Sequence, residues 1–402
     1  MTPRARSHYP LPITHHLSLI TYHSSPITHH SSLHLSPTML KNDYQYALML
    51  YREGQASLGQ VSVKVDWEPA REWAEFGALK QSVGRGLEPA DQTGWISTVT
   101  PIWHSTLGEP YLNGFRIDVA AKGSSEVSTD FRNAYFRQLA KQASELFVER
   151  GALKKGDRFK YLVAAFPRQE KEQGAVEIRF TSEEVTPPLA VTDASLSHLL
   201  DEAIAQGDQS KDDIPLLVPG NVLDEVKALS KQARLTETGG VLIGRLGRDV
   251  ERCEMFAQVT AQIPARHTEA TVTSLTFTSD TWTDVRAALE LRRKGEIMLG
   301  WWHSHPVREW CKGCSVESQK VCSMASDFFS AHDRALHRTI FPRAYSVALV
   351  VNDLPVDHAT YSMFGWKRGL LESRGFHISP SAGAQKKDSN GGGIAQAALA
   401  LS

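Results

Sequence analysis

The sequence predicts two folded regions in series: an α/β domain over residues 214–370, preceded by an α+β domain over residues 41–190. Apolar runs such as GGVLIG, EIMLGWWHSH and YSVALVVND alternate with segments of helical periodicity, the pattern of a buried sheet flanked by helices. Nearer the N-terminus, SLGQVSVKVDW and YLNGFRIDVAA show the two-residue alternation of half-buried strands. At 402 residues, 41% hydrophobic and 22% charged, the chain is long enough for two cores.

The elements follow in order. Residues 1–40 contain no Asp or Glu, hold seven of the sixteen histidines and repeat PITHH at 12–16 and 26–30. They read as a disordered, low-complexity segment, or as a non-native start upstream of Met39 or Met49, rather than as a metal-binding tract. In 41–190, Val61, Val63 and Val65 fall on one strand face. Residues 130–152 read as an amphipathic helix with Phe131, Phe136, Leu139, Ala143, Leu146 and Phe147 as its stripe, ended by Gly151. KYLVAAFP and AVEIRFT are further strands. No chemistry concentrates in this region, and its expected role is recognition. Residues 191–213 read as a linker containing a short helix.

In 214–370, PGNVLDEVKALSKQA should be a helix with Val222, Val226 and Leu229 on one face. GGVLIG, CEMFAQVTAQI and TSLTFT read as strands, and Ser279 caps a helix carrying Trp282, Val285 and Leu289. EIMLGWWHSH is a strand ended by Pro306, and YSVALVVND another. Residues 371–402 read as a disordered tail.

A formal net charge of −1 gives no electrostatic case for nucleic acid or an anionic membrane surface. No run of about 18 apolar residues suggests a membrane span. Four cysteines, three of them between 311 and 322, fit metal binding in a reducing, cytoplasmic setting better than a disulfide framework.

The chemistry-bearing residues lie in the second domain. His303 and His305, at i and i+2 on a strand, point to one face and can converge on one ion. A third ligand is needed. In FFSAHDRALH, Ser330 and Asp333 begin a helix as S-x-x-D, which is also a capping box; the two roles are compatible. Glu237, before the glycine pair in LTETGGVLIG, is the carboxylate that a hydrolytic zinc site needs outside its ligands, to take a proton from water and hand it to a leaving amine.

E-T-G-G-V-L-I-G, G-W-W-H-S-H-P and S-A-H-D, in that order, closely resemble the JAMM (MPN+, Mov34-type) zinc metalloprotease family, and the surrounding residues are similar to its bacterial branch. The resemblance covers residues 214–370 and implies a cytidine-deaminase-like mixed sheet flanked by helices. It implies that His303, His305 and Asp333 bind zinc, that Glu237 is base and then acid, and that Ser330 stabilises the oxyanion. It further implies cleavage after the C-terminus of a ubiquitin-like modifier, in an isopeptide or linear bond, with activating and conjugating-like enzymes as partners. The alternative is a non-catalytic scaffold of the same fold. A nucleobase deaminase fits poorly, because H-S-H-P replaces H-x-E and Trp310 precedes Cys311.

One departure from the family pattern is an insertion. Between Pro306 and Ser330 lie 23 residues, and at the usual spacing this chain has Cys314 and Glu317 instead. Asp327 is a rival to Asp333, but Met324 stands where its serine should be. The insertion carries Cys311, Cys314 and Cys322, spaced C-x2-C-x7-C, with His332, His337, Cys253 or water as a fourth ligand. Zinc with two imidazoles and one carboxylate keeps a net charge of about +1 and activates water, whereas three thiolates bring it to about −1. The cysteines therefore suit a second, structural zinc rather than the hydrolytic one.

Overall fold

The structure is a computed structural model that describes residues 39–52, 57–86, 95–120, 126–168, 189–270, 275–315, 317–318, 328–353 and 359–381, all within one compact unit, Leu35–Ser402. Residues 1–38, the AVEIRFT segment, Cys322, Asp327 and residues 382–402 lie outside the described residues.

The chain is mixed α/β, as the patterning predicts. In its first part, β1 (Met39–Asn42), β4 (Ile96–Trp103), β5 (Leu112–Ala120) and β6 (Val127–Arg132) form one sheet in the order β1-β4-β5-β6. A second sheet has the order β3-β2-β7, from β2 (Tyr44–Arg52), β3 (Ser57–Val63) and β7 (Phe159–Pro167). Two helices accompany them, α1 (Glu68–Gly84) and α2 (Arg137–Glu149). The expected helix over 130–152 is shorter than its apolar stripe suggested. Phe131 belongs to β6, where its ring stacks on Phe115 of β5 at 4.8 Å, and residues Asn133–Phe136 form a 3-10 turn. Helix α1 has no clean apolar stripe to announce it, because Arg71, Glu72 and Glu75 are buried alongside Ala70, Ala74, Phe76 and Leu79.

The main sheet runs β18-β17-β16-β15-β11-β12-β10-β19-β9 among the described residues, with β8 against the far half of β11. Its strands are β8 (Val191–Asp193), β9 (Ile204–Gln206), β10 (Leu216–Pro219), β11 (Gly239–Asp249), β12 (Glu254–Pro264), β15 (Ile297–His305), β16 (Val347–Asp353), β17 (Ala359–Lys367), β18 (Leu370–Arg374) and β19 (Phe376–Ser379). A small hairpin, β13 (Thr268–Ala270) with β14 (Leu275–Phe277), lies off it. The helices are α3 (Leu196–Asp201), α4 (Gly220–Ala233), α5 (Ser279–Arg292), the single turn α6 (Val307–Trp310) and α7 (Ala331–Ile340). Strands β15 and β16 are parallel, and α7 lies in the crossover between them. Among the described residues no helix is long and apolar enough to cross a membrane.

Three expectations are corrected here. Residues read as linker supply β8, α3 and β9, two of them edge strands of the sheet. The tail does not begin at 371: Leu371 and Phe376 are buried, and β19 lies between β10 and β9. Strands this short offer too few residues for a two-residue period to stand out. Finally, Thr278 occupies the N-cap of α5 and Ser279 is its first helical residue.

The core runs continuously from the first part into the main sheet. Phe76 on α1 packs against Tyr345 with ring centroids 5.9 Å apart, and buried Glu72 accepts a hydrogen bond from the Ala344 N–H at 3.2 Å while facing Arg343 at 3.6 Å. Removing that carboxylate leaves a buried donor unpaired. Glu72→Ala should therefore lower the unfolding free energy by about 1–3 kcal/mol. Urea denaturation checks this, and an unchanged midpoint would show that the contact contributes nothing.

Candidate metal centre

Strand β15 is fully enclosed, antiparallel to β11 on one side and parallel to β16 on the other. His303 pairs in register with Gly239 and with Val350, and His305 with Asn352. The glycine pair that opens β11 allows this close approach. A Cβ at Gly239 would strike the Trp302 carbonyl oxygen and the Leu275 side chain, and one at Gly240 the Ile263 carbonyl oxygen. The ladder continues one residue further, where the Ser304 N–H donates to the Thr238 carbonyl at 2.8 Å and the Thr238 N–H to Ser304 Oγ at 3.1 Å. That extension carries Glu237 to the end of β15 that bears the histidines.

The two-residue strand period does what it should. His303 and His305 are buried on one face, with their Nε2 atoms 3.1 Å apart. Asp333 reaches them from α7, its Oδ2 lying 3.6 Å from His303 Nε2, and candidate ligand atoms of all three lie within 4.8 Å of one another. Ser330 and Asp333 form a complete capping box: Ser330 Oγ accepts from the Asp333 N–H at 3.0 Å, and Asp333 Oδ2 accepts from the Ser330 N–H at 2.7 Å. The cap therefore fixes the rotamer that turns this carboxylate toward the histidines.

The electrostatics suit a cation. Burial holds the His303 imidazole below its usual range, and burial together with the neighbouring His303 pushes His305 down to about 3. Both rings are thus neutral near pH 7, as metal ligands must be. The Asn352 side-chain oxygen lies 3.1 Å from His305 Nδ1 and can only accept, so Nδ1 carries the proton and Nε2 keeps its lone pair for a metal. Asp333 stays below the usual carboxylate range: burial raises it, but His303, the Ser330 hydrogen bonds and His305 outweigh that effect. Glu237 is pushed up to about 8, first by burial and then by repulsion from Asp333. Two neutral imidazoles and an anionic carboxylate converging in a buried pocket match the donor set of a hydrolytic zinc site.

Aromatic rings wall the site, with Trp310 4.9 Å and Phe328 5.8 Å from the His305 ring and Phe329 6.3 Å from His303. A cleft of about 360 Å³, lined by Lys231, Arg234, Leu235, Arg308, Glu309 and Asp353, lies beside it in the chain. Leu235 is two residues before Glu237, Arg308 three after His305, and Asp353 next to Asn352.

Among the described residues, Cys253, Cys311 and Cys314 do not belong to this group of three. Cys311 is buried just after α6, and Cys314 is exposed, its N–H donating to the Cys311 carbonyl at 2.9 Å. Cys253 sits in the turn at the opposite end of β11, roughly 30 Å from Gly239 at the rise of a strand. His337 is engaged by Trp301, whose Nε1–H donates to its Nδ1 at 3.1 Å. Sequence reasoning offers His337 only as a possible fourth ligand for the cysteines and offers nothing for Asn352 or Trp301, since cross-strand and strand-to-helix register alone brings these residues to the site.

The fold and this cluster define an α/β domain with a buried group that could hold a metal ion. Residues 213–327 match the family model described as JAB1/Mov34/MPN/PAD-1 ubiquitin protease, and this part of the chain is a JAB/MPN domain. The match ends before Ser330, so Asp333 takes its place from geometry. The solution structure of protein DSY2949 from Desulfitobacterium hafniense is similar at 20% identity, over 42% of this chain and 95% of that chain, with a TM-score of 0.29 that carries no argument. No curated protein matches the chain.

Proposed function

We propose that the protein is a zinc-dependent isopeptidase or peptidase that hydrolyses the bond after the C-terminus of a ubiquitin-like modifier. The observation that carries this reading is the convergence of neutral, buried His303 and His305 with Asp333, beside a buried Glu237 that can hold a proton. His303, His305 and Asp333 would hold the metal, which when bound supplies Lewis acidity for a water nucleophile and for the carbonyl under attack. Glu237 accepts a proton from the attacking water and returns it to the leaving amine. The Ser330 hydroxyl donates to the oxygen that gains negative charge. The aromatic rings beside His305 make its surroundings less polar than water, which strengthens these interactions. The matched family's description as a ubiquitin protease supports the substrate class. Activating and conjugating-like enzymes of such a system are the proposed partners, in the cytoplasm.

The direct test is incubation of the chain with a modifier–reporter fusion, with and without chelator. Cleavage after the modifier's C-terminus, lost with chelator and restored by zinc, is the expected result. Cleavage indifferent to chelator would refute the metal mechanism, and metal-loaded protein that binds the fusion uncut would favour the scaffold alternative.

The same reading keeps Cys311, Cys314 and Cys322 for a separate structural zinc. The tight turn that brings Cys314 back to Cys311 supports it. Metal analysis should find about two zinc ions per chain, falling to about one in Cys311→Ser, Cys314→Ser. A wild-type content of one, unchanged in that variant, would remove the second site.

A further inference from the structure

The two histidines are held in different ways. His305 is fixed by the hydrogen bond of its Nδ1 to Asn352. His303 Nδ1 is buried and has no hydrogen-bond partner among the described residues. Metal-binding histidines ordinarily anchor their second nitrogen to a carboxylate, carbonyl or water, which sets ring orientation and tautomer. His303 has a different support. The indole of Trp301, two residues earlier and so on the same strand face, stacks on its imidazole with centroids 4.6 Å apart and planes 15° from parallel.

Trp301 is itself pinned. It is 1% exposed, and its single polar atom donates to His337 Nδ1 at 3.1 Å. His337 is fully buried on α7, one turn beyond Asp333, with Phe341 and Trp366 rings at 5.9 and 5.6 Å. Its Nε2 has no partner among the described residues, and burial pushes the ring down to about 3, so it is neutral. Accepting at Nδ1 then requires the proton on Nε2. A polar pair in this apolar cluster carries a desolvation cost that two hydrocarbon side chains would not. What the pair adds is direction. It ties β15, which bears both histidines, to α7, which bears the aspartate.

We propose that Trp301, braced by its hydrogen bond to His337, is the positioning group for His303: the stacked indole sets the plane of the imidazole so that Nε2 faces His305 and Asp333. The pair does for His303 what Asn352 does for His305, and it couples the two ligand-bearing elements. This rests on the metal-centre reading above.

The test uses the full chain, stripped of metal, with zinc affinity measured by competition against a chromophoric chelator and the site viewed through the visible absorption of bound Co2+. His337→Leu removes the acceptor, His337→Asn keeps one near the position of Nδ1, and Trp301→Phe keeps a ring without the N–H. His337→Leu and Trp301→Phe should weaken zinc binding by about 10–100-fold, the usual cost of losing an outer partner of a ligand. Both should shift the cobalt spectrum, while His337→Asn restores affinity and spectrum toward wild type. Should His337→Leu fail to fold, Trp301→Phe carries the same expectation. Wild-type affinity and an unaltered cobalt spectrum in a folded His337→Leu or Trp301→Phe overturn the bracing alone. Wild-type protein that binds no metal overturns the centre itself, and this proposal with it.

Discussion

Glu237→Gln is expected to abolish hydrolysis while leaving zinc content unchanged. The substitution preserves shape and removes a carboxylate that lies by the ligands without belonging to the group of three. General acid–base transfer accounts for about 10²–10⁴-fold in rate, so at least that much of kcat should go. The variant separates chemistry from metal binding: activity retained with glutamine at 237 would exclude this residue as the base, whatever the metal does. The pH profile carries the same information. Glu237 must be ionised to accept a proton, so activity should rise with pH through its pKa. That value is pushed up to about 8 by burial and Asp333, and a bound cation pulls it lower. The acid limb of the profile should therefore fall below about pH 8 and be absent from any residual activity of the glutamine variant.

The second large effect separates the two roles that overlap in the capping box. Ser330→Ala removes the cap acceptor and the hydroxyl donor but leaves Asp333 bound by the Ser330 backbone N–H. It should bind zinc, lose about 1 kcal/mol of stability, and lose about 10²–10³-fold in kcat through the missing oxyanion donor. Asp333→Ala removes a ligand as well and should release the metal, with activity gone. Chelator competition, thermal melting and steady-state kinetics on the two variants distinguish the outcomes. Ser330→Ala with full activity and reduced stability would mean that the serine only caps the helix. Asp333→Ala with wild-type zinc affinity would hand the third ligand position to another residue.

Much of this centre is legible in the sequence because its parts are local. Two histidines at i and i+2, a proline that ends their strand, and a serine and aspartate spaced as a cap each have meaning without knowledge of the fold. Glu237 is legible only beside the glycine pair, whose necessity becomes physical when β11 is seen pressed between β15 and β12. Asn352 and Trp301 are illegible for the opposite reason, and so is the partnership of His337 with Trp301, since the sequence suggests that histidine only as a partner for the cysteines. Nothing near Asn352 in the chain marks it, and its partnership with His305 follows from the β15–β16 register. Helix α1 was hidden by its own chemistry, since charged side chains that are buried through specific partners erase the apolar period by which helices are read. The strands β18 and β19 were hidden by brevity.

The shared core has a consequence for how such a protein could be rearranged. A recognition module joined only by a tether can be exchanged or deleted and leave its catalytic partner folded. Here Phe76 and Glu72 of α1 reach into the same interior as Tyr345 and Ala344, and strands that precede residue 214 and follow residue 370 belong to the sheet that presents the metal ligands. A cut at either position opens the hydrophobic interior rather than a hinge. The first part of the chain is therefore not a unit that can be exchanged whole without opening the interior behind the His303, His305 and Asp333 cluster.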